Sequence, residues 1–92
     1  MIVVRESVLI VNERGLHARA SAMFVGHVTE LPPNLDVRVA KDGIEAAGGS
    51  ILGLMMLGAA QGDSIDIIVS GVGAEAALER LVELVRGGFG EV

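Results

Sequence analysis

Residues Asn12–Met23 read NERGLHARASAM and join two different patterns of apolar residues. A β-rich run from Ile2 to Val11 ends just before the segment, and the apolar spacing from Ala18 onward is that of a helix. His17 lies at the join between the two patterns. The first N–H groups of a helix have no partner within the helix and form the positive end of its dipole. The segment therefore predicts a helix start that is suited to binding an anion.

His17 and Arg19 are the residues of this segment that can carry chemistry. A histidine ring nitrogen can attack phosphorus, and Arg19 adds a fixed positive charge within the first helical turn. Backbone amides and a guanidinium can together receive the three oxygens of a phosphoryl group. The residues indicate a phosphoryl-accepting site. The alternative is a solvated cap, which is the commoner role of a histidine at a helix start.

Length and composition limit the classes of protein to be considered. A chain of 92 residues forms one domain, and the absence of cysteine excludes disulfides and thiolate metal sites and suits a reducing cytoplasm. A formal net charge of -5 argues against a nucleic-acid-binding protein. The sequence has no apolar run of about 18 residues and no cleavage pattern of a signal peptide, so we expect no membrane insertion. His, Asp and Glu are not grouped at ligand spacing, and we expect no metal and no cofactor.

The remaining sequence predicts an α+β domain with the element order β-α-β-β-α-β-α. Pro32-Pro33 ends the first helix, Asp42-Gly43 forms a hairpin turn, and Ser50 caps a short second helix. Residues 87–92 are expected to form a mobile tail. The predicted strands are 2–11, 35–39, 44–47 and 64–70, and the predicted helices are 18–31, 51–57 and 74–86.

The apolar spacing also predicts which side chains are buried. We expect moderate burial on both faces of the first strand and one buried face on the later strands. The core side of the first helix is predicted to carry Ala18, Ala22, Val25 and Val28. The core side of the last helix is predicted to carry Ala74, Ala77, Leu78, Leu81, Val82 and Val85. An antiparallel sheet with its helices on one face fits this pattern, which leaves the strand orders 1-4-2-3 and ferredoxin-like 4-1-3-2 open.

Two motifs in the chain resemble those of a known family. Gly15-Leu16-His17-Ala18-Arg19 resembles the active-site signature of HPr, the histidine-containing phosphocarrier of the bacterial phosphoenolpyruvate-dependent phosphotransferase system. Gly49–Leu57, GSILGLMML, resembles the HPr segment around its regulatory serine, and Gln61-Gly62-Asp63 resembles the turn after it. The two motifs have the order and spacing of the family, and the resemblance covers nearly the whole chain.

The resemblance implies an HPr-like open-faced β-sandwich, in which a four-stranded antiparallel sheet of order 1-4-2-3 carries three helices on one face. It implies a cytoplasmic phosphocarrier rather than an enzyme. Enzyme I, charged from phosphoenolpyruvate, would phosphorylate His17 at Nδ1, and His17 would pass the group to an enzyme IIA. Arg19 and the backbone of Ala18, Arg19 and Ala20 would hold the phosphoryl oxygens.

The second predicted helix is apolar on every side, and residues 46–62 contain no charge. Either loops cover its outer side, or that side is an adaptable docking surface. The resemblance implies a surface that meets enzyme I and enzyme IIA, with Leu16, Ile51, Leu52 and Met55 as partner-binding residues. Ser50 is by default a helix cap. The resemblance adds regulatory phosphorylation of Ser50 by an HPr kinase/phosphorylase.

One departure from the family signature concerns Ala20 and Ser21, which follow Arg19 where HPr usually has proline and alanine. This form resembles a regulatory branch that includes the nitrogen-related system, and the choice between sugar and nitrogen pathways stays open. Two rival functions are a small-molecule-sensing α+β regulatory module and a regulatory adaptor that uses Ser50 without carrying phosphate. The presence of His17 and Arg19 disfavours both rivals.

Overall fold

The computed structural model describes residues 2–91, and its strands and helices follow the order predicted from the sequence. A short 3-10 helix, Gly88–Gly90, follows the last α-helix. None of the described helices is long and apolar enough to cross a membrane. The main elements are β1 Val3–Leu9, α1 Ala18–Thr29, β2 Asp36–Lys41, β3 Ile44–Ala47, α2 Ile51–Met56, β4 Ser64–Ser70 and α3 Ala74–Arg86.

The four strands form one antiparallel sheet in the order β1-β4-β2-β3. Strand β4 is central: its Ile65 pairs with Val8 of β1, and its Ile67 pairs with Val39 of β2. Strand β3 pairs with β2 at the other edge, where Ala46 is opposite Val39. This order confirms the open-faced sandwich and excludes the ferredoxin-like alternative.

The core lies between one face of the sheet and the helices. Ile65, Ile67 and Val69 are buried on alternate positions of β4, because that face of the central strand is covered. Every residue predicted for the core side of α3 is buried. These two elements therefore follow directly from their apolar periods.

The first strand and first helix differ from the predictions. On β1 only one face is covered: Val8 is buried, whereas Leu9 is half exposed. On α1 the buried residues are Ala20, Ser21 and Phe24, and the predicted core residue Ala18 is exposed, as is Ala22. Phe24 sets the rotation of the helix, since it has much more apolar surface to bury than an alanine, and residues four apart share a face.

The expected mobile tail is instead folded onto the core over its described part. Gly87 caps α3, and Phe89 is only 2% exposed within the 3-10 helix. Phe89 has a φ of 56°, a left-handed conformation that residues other than glycine seldom adopt. Glu91 follows it at the surface, and Val92 lies outside the described residues.

Candidate functional site

The site is built around the start of α1. His17 is the N-cap residue, with extended backbone torsions, and its carbonyl accepts a hydrogen bond from Ser21 N at 2.9 Å. The amides of Ala18, Arg19 and Ala20 therefore precede the first hydrogen bond of the helix ladder. The His17 side chain makes no capping hydrogen bond, which leaves the ring available for other contacts.

The loop between α2 and β4 holds the segment that leads to His17. Leu16 N donates to Ala59 O at 3.0 Å, and Gln61 Nε2 donates to Val11 O at 3.0 Å. Gly15 has a φ of +61°, and a Cβ at this position would be 2.3 Å from Ala59 O. Gly15 is therefore required both by its backbone conformation and by the close approach of the two loops.

The His17 side chain lines a cleft of about 630 Å³, and the other lining residues include both acidic and basic side chains. Arg14 and Arg19 are exposed there, and neither takes part in the ion pairs formed between residues 2 and 91. The two guanidinium groups are available to an incoming anion. The lining residues are Glu13, Arg14, His17, Arg19, Gln61 and Glu91.

Glu91 reaches His17 from the other end of the chain, 74 residues away. Its Oε2 is 2.5 Å from His17 Nε2, and its Oε1 accepts a hydrogen bond from Asn12 Nδ2 at 3.1 Å. The hydrogen bond from His17 lowers the pKa of the Glu91 carboxyl, partial desolvation opposes the shift, and Asn12 and the charge of Arg14 add to the lowering. Glu91 is thus held as a carboxylate against the ring.

The predicted site residues differ in how far they reach solvent. Ala18 and Arg19 are exposed, whereas Ala20 is fully buried, so a group in the cleft contacts the Ala20 amide only after a local movement. Leu16 is 5% exposed, because it packs into the core beneath the loop at Ala59. Burial corrects the expectation that Leu16 belongs to a partner-binding surface.

The outer side of α2 is exposed as expected. Ile51, Leu52 and Met55 are 41%, 68% and 41% exposed, while Leu54 on the opposite side is fully buried. Met56, which was not among the predicted partner-binding residues, is 75% exposed and extends the same apolar surface. Ser50 is the predicted cap: its Oγ accepts a hydrogen bond from Gly53 N at 2.9 Å.

Comparison with known proteins identifies the family. Residues 4–87 match the family described as "PTS HPr component phosphorylation site". The chain belongs to the HPr family. The phosphocarrier protein HPr of Neisseria meningitidis serogroup A is 39% identical over 87 residues, which cover 95% of this chain and 96% of that protein. The phosphocarrier protein NPr of Proteus mirabilis is 32% identical over 84 residues, covering 91% of this chain and 92% of that protein.

Solved HPr structures share the fold. The crystal structure of HPr from Thermoanaerobacter tengcongensis has a TM-score of 0.89 and 34% identity, covering 97% of this chain and 98% of that one. HPr from Bacillus anthracis has a TM-score of 0.85 and the same identity, over 92% of this chain and 99% of that one. HPr-family membership supports a phosphocarrier role in the phosphotransferase system, with protein partners of that system.

Sequence reasoning missed two residues of this HPr site, Asn12 and Glu91. Asn12 is fully buried, and its Nδ2 also donates to Gly15 O at 2.8 Å. Neither residue type is distinctive at its position. The available signal was Phe89, since phenylalanine is among the residue types most often buried and a buried Phe89 holds the neighbouring Glu91 near the domain.

Proposed function

We propose that the protein accepts a phosphoryl group from enzyme I on Nδ1 of His17 and passes it to an enzyme IIA in the cytoplasm. The observation that carries the proposal is the location of His17. Its side chain is 19% exposed, at the amino end of α1, in a cleft that also contains Arg14 and Arg19. An accessible nucleophile beside two cations is the arrangement that phosphoryl transfer needs.

Each part of the site has its own role in this proposal. The Nδ1 lone pair forms the new N–P bond as the bond between phosphorus and the donor atom of enzyme I breaks, and that bonding pair stays on the donor atom. Arg19 neutralises the phosphoryl oxygens, and the amides of Ala18 and Arg19 add the positive end of the helix dipole. The Ala20 amide joins them if the first turn moves. The protein carries the group and converts no free substrate.

The exposed side of α2 is the proposed docking face, defined as Ile51, Leu52, Met55 and Met56. Helix α2 packs against α1, the helix that begins at His17, so the docking face and the cleft belong to neighbouring elements. An apolar surface that contains two flexible methionines can adapt to more than one partner. This property suits a carrier that must contact both enzyme I and an enzyme IIA.

We also propose that Ser50 is a regulatory phosphorylation site for an HPr kinase/phosphorylase. Ser50 is partly exposed at the start of α2, next to the docking face. A phosphate there adds a charge of about -1.5 to -2 and remains compatible with the helix N-terminus. The added charge opposes burial of the neighbouring apolar side chains in a complex.

Incubation with enzyme I and labelled phosphoenolpyruvate tests the carrier function. Label is expected on His17 as an acid-labile, base-stable phosphoramidate, and His17→Ala is expected to abolish it. Arg19→Ala should slow acceptance by about a hundredfold, since it removes one group that neutralises developing charge. Its melting temperature should stay within a few degrees of that of the parent protein, because Arg19 is exposed.

Arg80→Ala is the matched control, since Arg80 is an exposed arginine on α3 outside the cleft. It should accept label at the parental rate. Label on folded His17→Ala at the parental rate would contradict the carrier function. Absence of label on the parent protein would favour an adaptor that uses Ser50 alone.

A further inference from the structure

The contact between Glu91 and His17 determines which ring nitrogen is free. Glu91 Oε2 lies 2.5 Å from Nε2, and a carboxylate is purely an acceptor, so the ring must supply the proton. A neutral imidazole has one N–H. With that N–H at Nε2, the lone pair is at Nδ1.

We infer that Glu91 is a positioning residue that holds His17 in the tautomer whose Nδ1 attacks phosphorus. The inference rests on the proposed carrier function and explains how one nitrogen of the ring is selected. It assigns a role to the end of the chain, which neither the sequence motifs nor the family match includes, since the match ends at residue 87.

Glu91 is fixed in place by two buried anchors. Asn12 Nδ2 donates both to Glu91 Oε1 and to Gly15 O, which uses both of its N–H bonds. Asn12 is fully buried and cannot reorient without breaking these contacts. Phe89, two residues before Glu91, is packed in the core. The Glu91 side chain is 20% exposed, unlike an ordinary solvated surface glutamate.

The carboxylate also matches the charge that the reaction creates. When Nδ1 forms its bond to phosphorus and the donor bond breaks, the ring keeps its proton at Nε2 and becomes cationic. Glu91 contacts the nitrogen that carries this proton, so the ion pair strengthens as the reaction proceeds. The carboxylate that orients the histidine of serine hydrolases acts on its ring in the same way. When the group leaves, the bonding pair returns to Nδ1 and the ring is again neutral.

Two variants separate orientation from charge. Glu91→Gln keeps an oxygen that can accept the Nε2 proton but removes the charge, whereas Glu91→Ala removes both. The ring tautomer is read from the ¹⁵N chemical shifts of neutral His17, and the phosphorylated nitrogen from ³¹P–¹⁵N coupling. Acceptance from enzyme I is followed as the maximal rate and as KM. Glu79→Gln on the exposed side of α3 is the control.

In the parent protein we expect an N–H signal at Nε2, a lone-pair signal at Nδ1, and label at Nδ1. Glu91→Ala should move both shifts toward those of a solvent-exposed histidine and lower the maximal rate by roughly tenfold or more, with little change in KM. Glu91→Gln should keep the tautomer of the parent protein, and its maximal rate should lie between those of the parent protein and Glu91→Ala. Glu79→Gln should match the parent in every measurement.

The outcomes distinguish this inference from the carrier function. A parent protein that accepts no label at His17 contradicts the carrier function itself. Label on the parent with unchanged shifts and rate in Glu91→Ala overturns the positioning role and leaves the carrier function intact. A slower Glu91→Ala with an unchanged tautomer also overturns it, as does label at Nε2 in the parent.

Discussion

Gly15 controls how closely the His17 segment approaches the loop after α2. In its left-handed conformation, any residue with a Cβ loses about 1–2 kcal/mol. The added Cβ would also meet Ala59 O, which cannot turn away without losing its hydrogen bond from Leu16 N. We expect Gly15→Ala to lower the free energy of unfolding by more than about 2 kcal/mol, measured by urea denaturation.

Gly26→Ala is the matched control for this substitution. Gly26 lies within α1, where a Cβ would meet nothing within 4 Å. Alanine is favoured over glycine in a helix interior by about 0.5–1 kcal/mol, so this variant should be more stable than the parent protein. A Gly15→Ala variant of parental stability would show that the two loops can separate at little cost.

At the scale of single residues, the sequence identifies which residues can carry chemistry better than it identifies which residues are in contact. His17 and Arg19 stand in a short motif whose residue types point to phosphoryl transfer. Asn12 and Glu91 are ordinary residue types at positions far apart in the chain, and their contact depends on how the last turn packs. No local pattern encodes that contact, because it forms only when the two ends of the domain are brought together.

Among the elements, α3 and α1 show when an apolar period determines the buried face. The six buried positions of α3 hold leucine, valine and alanine in one continuous stripe, opposite a charged side, so only one rotation is favourable. Helix α1 has alanines around its circumference and few charges, and several rotations bury similar areas. Phe24 then decides the rotation through packing, which the period of small residues does not show.

Helix α2 has one buried side and one exposed apolar side, which is the proposed docking face, and substitutions on the two sides should act differently. Leu52 is 68% exposed, so Leu52→Glu should change the free energy of unfolding by no more than about 0.5 kcal/mol. It should raise the Kd for enzyme I by about tenfold or more, since the complex would bury an unpaired carboxylate. The Ser50-phosphorylated protein is expected to show weakened binding in the same titration.

Two controls define the specificity of this effect. Val72→Glu introduces the same charge at an exposed apolar position at the far end of β4, and it should leave the Kd unchanged. Leu54→Ala, on the buried side of α2, should instead cost about 2–5 kcal/mol of stability. Parental affinity for enzyme I in Leu52→Glu would exclude Leu52 from the interface.

In the whole molecule, the site combines segments that are distant in sequence. The stretch 12–19 contains His17, the proposed nucleophile, Gln61 hydrogen-bonds to the residue before this stretch, and Glu91 contacts the His17 ring from the end of the chain. The sequence predicts each element but leaves two strand orders open, because apolar alternation shows which face of a strand is buried and not which strand lies beside it. The observed order places the start of β4 next to the end of β1, where Ile10 N donates to Asp63 O at 2.8 Å.

Phe89 connects the end of the chain to the core of the domain. Its ring is 2% exposed despite a left-handed backbone, so packing must outweigh the conformational cost. Phe89→Ala should lower stability by about 3–5 kcal/mol. At about 4–8 °C per kcal/mol for a domain of this size, the melting temperature should fall by more than about 10 °C. Phe89→Leu keeps a large apolar side chain in the same backbone conformation and should lose much less stability.

Glu91 lies two residues after Phe89, so loss of the Phe89 side chain should also release the end of the chain. Limited proteolysis of Phe89→Ala, at a temperature where the variant is folded, should therefore cut the end of the chain faster than in the parent protein. A Phe89→Ala variant with the parental melting temperature and cleavage rate would mean that the end of the chain does not stabilise the domain and does not depend on this anchor.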